Sequence, residues 1–260
     1  MFLDDFVEKC HINLLQPSSK IPLAYLVSRG ISLKEIKKYK LGYSPTFYKN
    51  PDKEEHEEAE HFNSWLGWKG RFIKNRLVFP IHDEMNGLLG IETRGLDKRA
   101  MSVLLPKFKN NLKDNIAKLP ETEVRYKKFY FEKNRHMATF FGLPEGLKSI
   151  WETKEVYLTE GIFDMLSLNK IKPNCLTPLT ANINEYQITW LKRYVNKVIL
   201  LFDMDEKGKK AVKRLKYAFK DDDIQVHSIP LKSRDVNEFV MTYGQKELEL
   251  YLNDKLDTIF

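Results

Sequence analysis

An unbroken apolar run from Val198 to Phe202 constrains this chain more than any other feature. It has the length of a strand, and its lack of alternation suits a strand covered on both faces. Around it the same rhythm repeats. Val156–Thr159, Cys175–Leu179 and Ile224–Ile229 carry strand signals. Between them, Gly161–Lys170, Asn184–Tyr194 and Glu206–Lys220 have helical apolar spacing, and Val236–Leu252 follows with a break near Gly244. Strands alternating with helices predict a parallel sheet, here four-stranded, covered by helices.

In such a sheet ligands bind beyond the carboxyl ends of the strands, so the residues after each strand matter most. Glu160-Gly161 and then Asp164 follow the first. Asp203-Met204-Asp205 follow the apolar run, and Asp235-Val236-Asn237-Glu238 follow the last. Taken singly, each Asp also reads as a helix N-cap. Taken together, they form a cluster. Two carboxylates about 4 Å apart repel by roughly 4 kcal/mol at an effective dielectric near 20. Such a cluster needs cations or protons, and all-oxygen donors favour magnesium or manganese over zinc.

The first half reads differently. Residues 1–20 have no clear pattern. Ile21–Lys40 predicts two short helices around Ser28-Arg29-Gly30, with Gly30 as a C-cap and Ser32–Glu35 as a capping box. Asp52–Glu60 is an acidic run suited to a loop or surface helix. Arg71–Ile81 and Leu88–Thr93, joined by Met85-Asn86-Gly87, predict a hairpin. Val103–Lys133 is rich in lysine and aromatics and has no period. This half predicts an α+β fold, against α/β for the second. The expected divisions are 1–150, 151–230 and 231–260.

With 260 residues and 42% hydrophobic content, the chain can bury one large core or two coupled ones. Its net charge of +7 comes from Phe62–Arg135, where Lys and Arg outnumber Asp and Glu. A local basic excess suggests an anionic partner. Cys10 and Cys175 lie far apart and suggest neither a disulfide framework nor a zinc site. With no membrane span and no signal peptide in the pattern, the cytoplasm is the expected compartment.

Leu158-Thr159-Glu160-Gly161-Ile162-Phe163-Asp164 and Leu201-Phe202-Asp203-Met204-Asp205-Glu206-Lys207-Gly208 resemble the first two motifs of the Toprim domain. Primases, topoisomerases, RecR-like repair proteins and OLD-type nucleases share that domain. Other blocks single out one member. Tyr25–Ser32 and Leu41–Pro45 are similar to the entry segment of the DnaG-type primase polymerase domain. Asn75–Ile81 and Gly90–Arg94 resemble its basic motifs, Phe140–Leu143 the segment before the Toprim strand, and Arg234–Glu238 its third acidic motif. The blocks keep the family's order from Tyr25 to Phe239. Asn237 stands where these primases usually carry a second Asp, a departure shared with phage-type or organellar-like primase–helicases.

The resemblance implies metal-dependent synthesis of RNA primers on single-stranded DNA from ribonucleoside triphosphates. It implies two or more magnesium or manganese ions held by Glu160, Asp203 and Asp205, with Asp235 and Asp164 secondary. Glu160 stays open as a metal ligand or a general base. Lys74, Arg76, Arg94 and Lys107 become candidates for triphosphate and template backbone, although Arg76 and Arg94 also read as surface charges. The family's Pro-Lys-Tyr motif matches Pro106-Lys107-Phe108 or Arg125-Tyr126-Lys127. Tyr126, Phe129, Tyr130 and Phe131 read as core or as a base-stacking face, and His82 as structural. No zinc-binding module, helicase-binding domain or nucleotide-binding P-loop is recognisable, so a replicative helicase and a separate zinc module are expected partners. A Toprim nuclease and a non-catalytic DNA-binding protein remain the alternatives.

Overall fold

The computed structural model describes residues 2–45, 75–96, 98, 126–130, 139–179, 183–203 and 205–259. The chain divides into two compact units. One comprises Met1–Pro80 with Leu88–Glu132, the other Ile81–Gly87 with Lys133–Phe260.

The first unit opens with helices α1 (Phe2–Leu15), α2 (Lys20–Ser28) and α3 (Leu33–Lys38). Residues 1–20, unplaced by sequence reasoning, are largely the α1 helix. Its Leu3, Phe6, Val7, Cys10 and Leu14 recur at helical spacing and are all buried. The junction of α2 and α3 follows the expectation. Gly30 takes φ of 76°, its N–H bonds to the Val27 carbonyl, and the Ile31 N–H reaches back to Leu26, which is a Schellman ending. Ser32 and Glu35 cap α3 reciprocally.

Strands β1 (Gly42–Ser44), β2 (Arg76–His82), β3 (Leu88–Gly95) and β4 (Tyr126–Tyr130) form a sheet in that order, with β1 antiparallel to β2 and β3 antiparallel to β4. The expected hairpin is present. Asn86 adopts φ of 64°, and the Asp83 carboxylate accepts from the N–H groups of Met85 and Gly87. β1 and β4 carried no legible strand period. α1 lies so close to β1 that a Cβ on Gly42 would stand 2.7 Å from the Cys10 Cβ.

The second unit alternates helix and strand. It comprises α4 (Leu143–Thr153), β5 (Glu155–Thr159), α5 (Ile162–Leu168), β6 (Cys175–Leu176) and α6 (Glu185–Tyr194). There follow β7 (Lys197–Leu201), α7 (Glu206–Ala218), β8 (Gln225–Ser228), α8 (Val236–Tyr243) and α9 (Gln245–Ile259). The strands form a parallel sheet in the order β6-β5-β7-β8. β5 and β7 lie at its centre and are buried from their second residue onward. Val156, Leu158, Val198 and Leu200 pack with Leu147 and Ile150 of α4, Trp190 and Leu191 of α6, and Leu215 of α7. The intervening Tyr157 and Ile199 face the other side and are equally buried. Each such aliphatic side chain contributes about 1.5–3 kcal/mol on burial, so this sheet is the rigid floor of whatever its strand ends carry. α4 was not anticipated. Its start at Gly142 uses φ of 87°, and a Cβ there would collide with the Met165 side chain.

Candidate metal centre and nucleic-acid interface

The central strands deliver carboxylates to one edge of the parallel sheet. Glu160 directly follows β5, Asp203 and Asp205 follow β7, and Asp235 precedes α8 after the β8 strand. They are close enough to perturb one another. Burial, and then the Asp203 and Asp205 carboxylates, push Glu160 up to about 7. Burial, and then Asp235 and Asp205, push Asp203 up to about 6. Three separated segments therefore meet in one field.

Helix starts fix this geometry. Asp205 caps α7, its Oδ1 accepting from the N–H groups of Lys207 and Gly208 at 2.9 Å. Asp235 caps α8, its Oδ1 accepting from the Glu238 N–H at 2.7 Å. The capping role and the clustering thus hold together, because one oxygen of each carboxylate caps while the other remains. In Asp235 that other oxygen, Oδ2, accepts from Nε and Nη2 of Arg234 at 3.2 and 3.1 Å.

Gly208, in the first turn of α7, was quoted in the second motif without a role. A Cβ there would overlap the Asp203 carbonyl oxygen and stand 2.9 Å from Glu160 Oε1. Only glycine lets α7 close onto these two residues. The signal in the sequence was a glycine where a helix interior favours other residues.

Asp164 is tied to α8. Its Oδ1 accepts from the Asn237 N–H at 2.9 Å, and the Asn237 Nδ2 donates to Ser167 Oγ at 2.8 Å. Asn237 is fully buried. Its amide ties α8 to α5, and through that link it anchors the segment that carries Asp235.

Glu160 Oε1 is buried without a hydrogen-bond partner among the described residues. An orphaned carboxylate oxygen inside a carboxylate cluster matches the donor chemistry of a hard divalent cation. Among the described residues, no group of three His, Cys, Asp or Glu side chains stands as a ready-made metal cage. The donors fit in kind and in charge.

The basic candidates belong to the first unit. Arg76 is 1% exposed, with Nε donating to Thr93 Oγ1 at 2.8 Å and Nη2 to the Thr93 carbonyl at 3.2 Å. Its side chain thus reaches across from β2 to β3. Arg94 is half-buried, its guanidinium 5.2 Å from the centre of the Tyr25 ring. Lys74, Lys107, Arg125 and Phe131 lie outside the described residues, as does the acidic run Asp52–Glu60. Tyr126 and Phe129 stand in β4 opposite Arg94 and Ile91, and Tyr130 opposite Gly90. Cys10 and Cys175 are buried free thiols. No helix among the described residues is long and apolar enough to cross a membrane.

Two family models match the chain. Residues 10–116 match the DNA primase catalytic core, N-terminal domain, and residues 157–240 match a Toprim-like domain. The DNA primase of Chlamydia pneumoniae is 28% identical over 261 residues, which cover 98% of this chain and 40% of that protein. The chain thus spans well under half the length of this curated relative. Among solved structures, the DnaG catalytic core superposes with a TM-score of 0.75 at 21% identity, covering 97% of this chain and 78% of that one. A DnaG primase catalytic domain bound to single-stranded DNA superposes with a TM-score of 0.71 at 21% identity, covering 96% and 76%. With the two models matched one after the other, the chain carries the N-terminal domain of a DNA primase catalytic core followed by a Toprim-like domain.

Proposed function

We propose that this chain is the catalytic part of a DNA primase, joining ribonucleotides on a single-stranded DNA template. The meeting of Glu160, Asp203, Asp205 and Asp235 at one sheet edge carries this reading. The family implies divalent metal use, and the proposed ions are magnesium or manganese, two or more of them. When bound, such ions neutralise charge on the transferring phosphate and favour ionisation of the attacking 3′-hydroxyl.

The chain's own groups do the rest. Glu160, Asp203 and Asp205 are the principal donors. Glu160 alternatively receives the hydroxyl proton, a role its raised affinity for protons near neutrality supports. Asp235 is a further donor, and Asp164 acts through the Asn237 N–H that it holds. Lys74, Arg94 and Lys107 are assigned to triphosphate and template backbone. Arg76 shares that assignment from its sequence context, and its Thr93 bonds brace β3 beside Arg94. A replicative helicase and a separately supplied zinc-binding module are the proposed protein partners.

The test is incubation with single-stranded DNA, the four ribonucleoside triphosphates and magnesium or manganese. New oligoribonucleotides are expected from the wild type and none from Asp203→Asn, with DNA binding retained in both. Shortened DNA in place of new oligomers would instead mark a nuclease. Full priming by the variant would remove the carboxylates from the chemistry.

A further inference from the structure

We infer that the outer face of α7 is a docking surface for single-stranded DNA running away from the carboxylate cluster. The inference rests on the primase reading of that cluster and adds a contact surface in the second unit, apart from the basic candidates of the first.

The charge of α7 is unusual for a helix held only by packing. Its sequence, Glu-Lys-Gly-Lys-Lys-Ala-Val-Lys-Arg-Leu-Lys-Tyr-Ala, has a single acid, Glu206. Lys207, Lys209, Lys210, Lys213, Arg214 and Lys216 are all exposed, while Gly208, Ala211 and Leu215 face the core. A merely solvated face would mix both signs. Three of these lysines sit in the first turns, where the positive end of the helix dipole opposes them. Stability therefore does not explain the pattern. An external polyanion does, because it turns the same repulsion into attraction.

Position adds the second argument. The Asp205 cap and the close approach of Gly208 to Asp203 and Glu160 fix the start of α7 against the carboxylates. Lys209, Lys213 and Lys216 then form a stripe at helical spacing, extending about 10 Å. Beside it, Tyr217 is 70% exposed, with the Lys220 ammonium 4.7 Å from its ring centre. Exposed aromatics interleaved with cations are what a strand with unstacked bases engages. The patch ends at Asp221, Asp222 and Asp223, where the sign reverses.

The decisive variant is Lys209→Glu/Lys213→Glu/Lys216→Glu, made at exposed positions so that the fold survives. Its control carries the same charge change at the exposed Lys34, Lys148 and Lys246. Binding of fluorescent single-stranded DNA and of an RNA–DNA heteroduplex is followed by anisotropy across a salt series. The α7 variant is expected to bind the single-stranded DNA roughly tenfold more weakly than the control. Its log–log salt slope on that probe should be shallower by about 2, at roughly 0.7 per lost phosphate contact. A loss confined to the heteroduplex would overturn the single-strand assignment. Manganese binding without nucleic acid should stay unchanged. If variant and control share affinities and slopes on both probes, the surface is refuted while the primase reading stands. If the wild type binds neither probe, both fall.

Discussion

In the antiparallel sheet of the first unit, polar and charged side chains lie within the strands and are buried: Arg76 at 1% exposure, Glu92 at 4%, Thr93 fully. In the parallel sheet of the second, the central strands bury Val156–Leu158 and Val198–Leu201, and the charges wait at the carboxyl ends, with Glu160, Asp203 and Asp235 half-buried and Asp205 exposed. The difference has a physical root. A charge buried within a sheet must find partners inside the protein, as Arg76 does with two bonds to Thr93, and so becomes a structural element. A charge at a strand end, beside a helix N-terminus, can cap with one oxygen and offer the other to a ligand. Strand ends of parallel sheets are where chemistry accumulates.

Substitutions in both sheets and a change of pH can break or sharpen this contrast. The largest effect is expected from Gly208→Ala, which forces α7 away from Asp203 and Glu160. Priming should fall by about 100-fold, as misplacement of reacting groups by an ångström can do. Stability should change by only about 1–3 kcal/mol. Primer yield and thermal melting, measured together, separate the two, and near-normal priming would show that the strand-end geometry tolerates displacement.

Next comes Arg76→Ala. It removes the donors on Thr93 and opens a cavity, so a loss of about 3 kcal/mol is expected in denaturant titration. Arg94→Ala, at a half-buried site, should cost about 1 kcal/mol or less and act mainly on nucleotide binding. If Arg76→Ala melted like the wild type and lost only nucleotide affinity, the buried charge would serve binding alone and the contrast would fail.

The smallest effect is the pH response of the metal-free protein. Glu160, at about 7, and Asp203, at about 6, lie above their ordinary values of 4.5 and 3.8. The folded state therefore holds more protons than the unfolded state between those limits, and stability falls as pH rises through the window. The melting temperature should drop by a few degrees between about pH 5 and about pH 7.5, and saturating magnesium should restore it. Asp203→Asn should flatten the slope. A melting temperature that climbs over the same range would mean that Glu160 and Asp203 are neither buried nor in a field of neighbouring carboxylates.

Much of this was legible because periodicity reports burial. The Val198–Phe202 run announced a central parallel strand, and Ser32 with Glu35 announced a helix start, since caps are local chemistry. β4 was not legible, because Tyr126–Tyr130 alternates no more clearly than its surroundings. α1 hid its apolar stripe in a mixed segment. The Toprim and primase motifs supplied the site candidates in advance.

What the sequence determined by itself was the alternation of strands and helices from β5 onward, the residue types at each strand end and the family those motifs mark. These depend on near neighbours along the chain. Tertiary structure alone decided that burial and neighbouring carboxylates raise the hold of Glu160 and Asp203 on protons, that Asp164 accepts from the Asn237 backbone N–H, that Arg76 turns inward and that Gly208 must have no side chain. Each of these is a relation between atoms far apart in sequence, and no local pattern encodes the distance between two segments until the sheet brings them together.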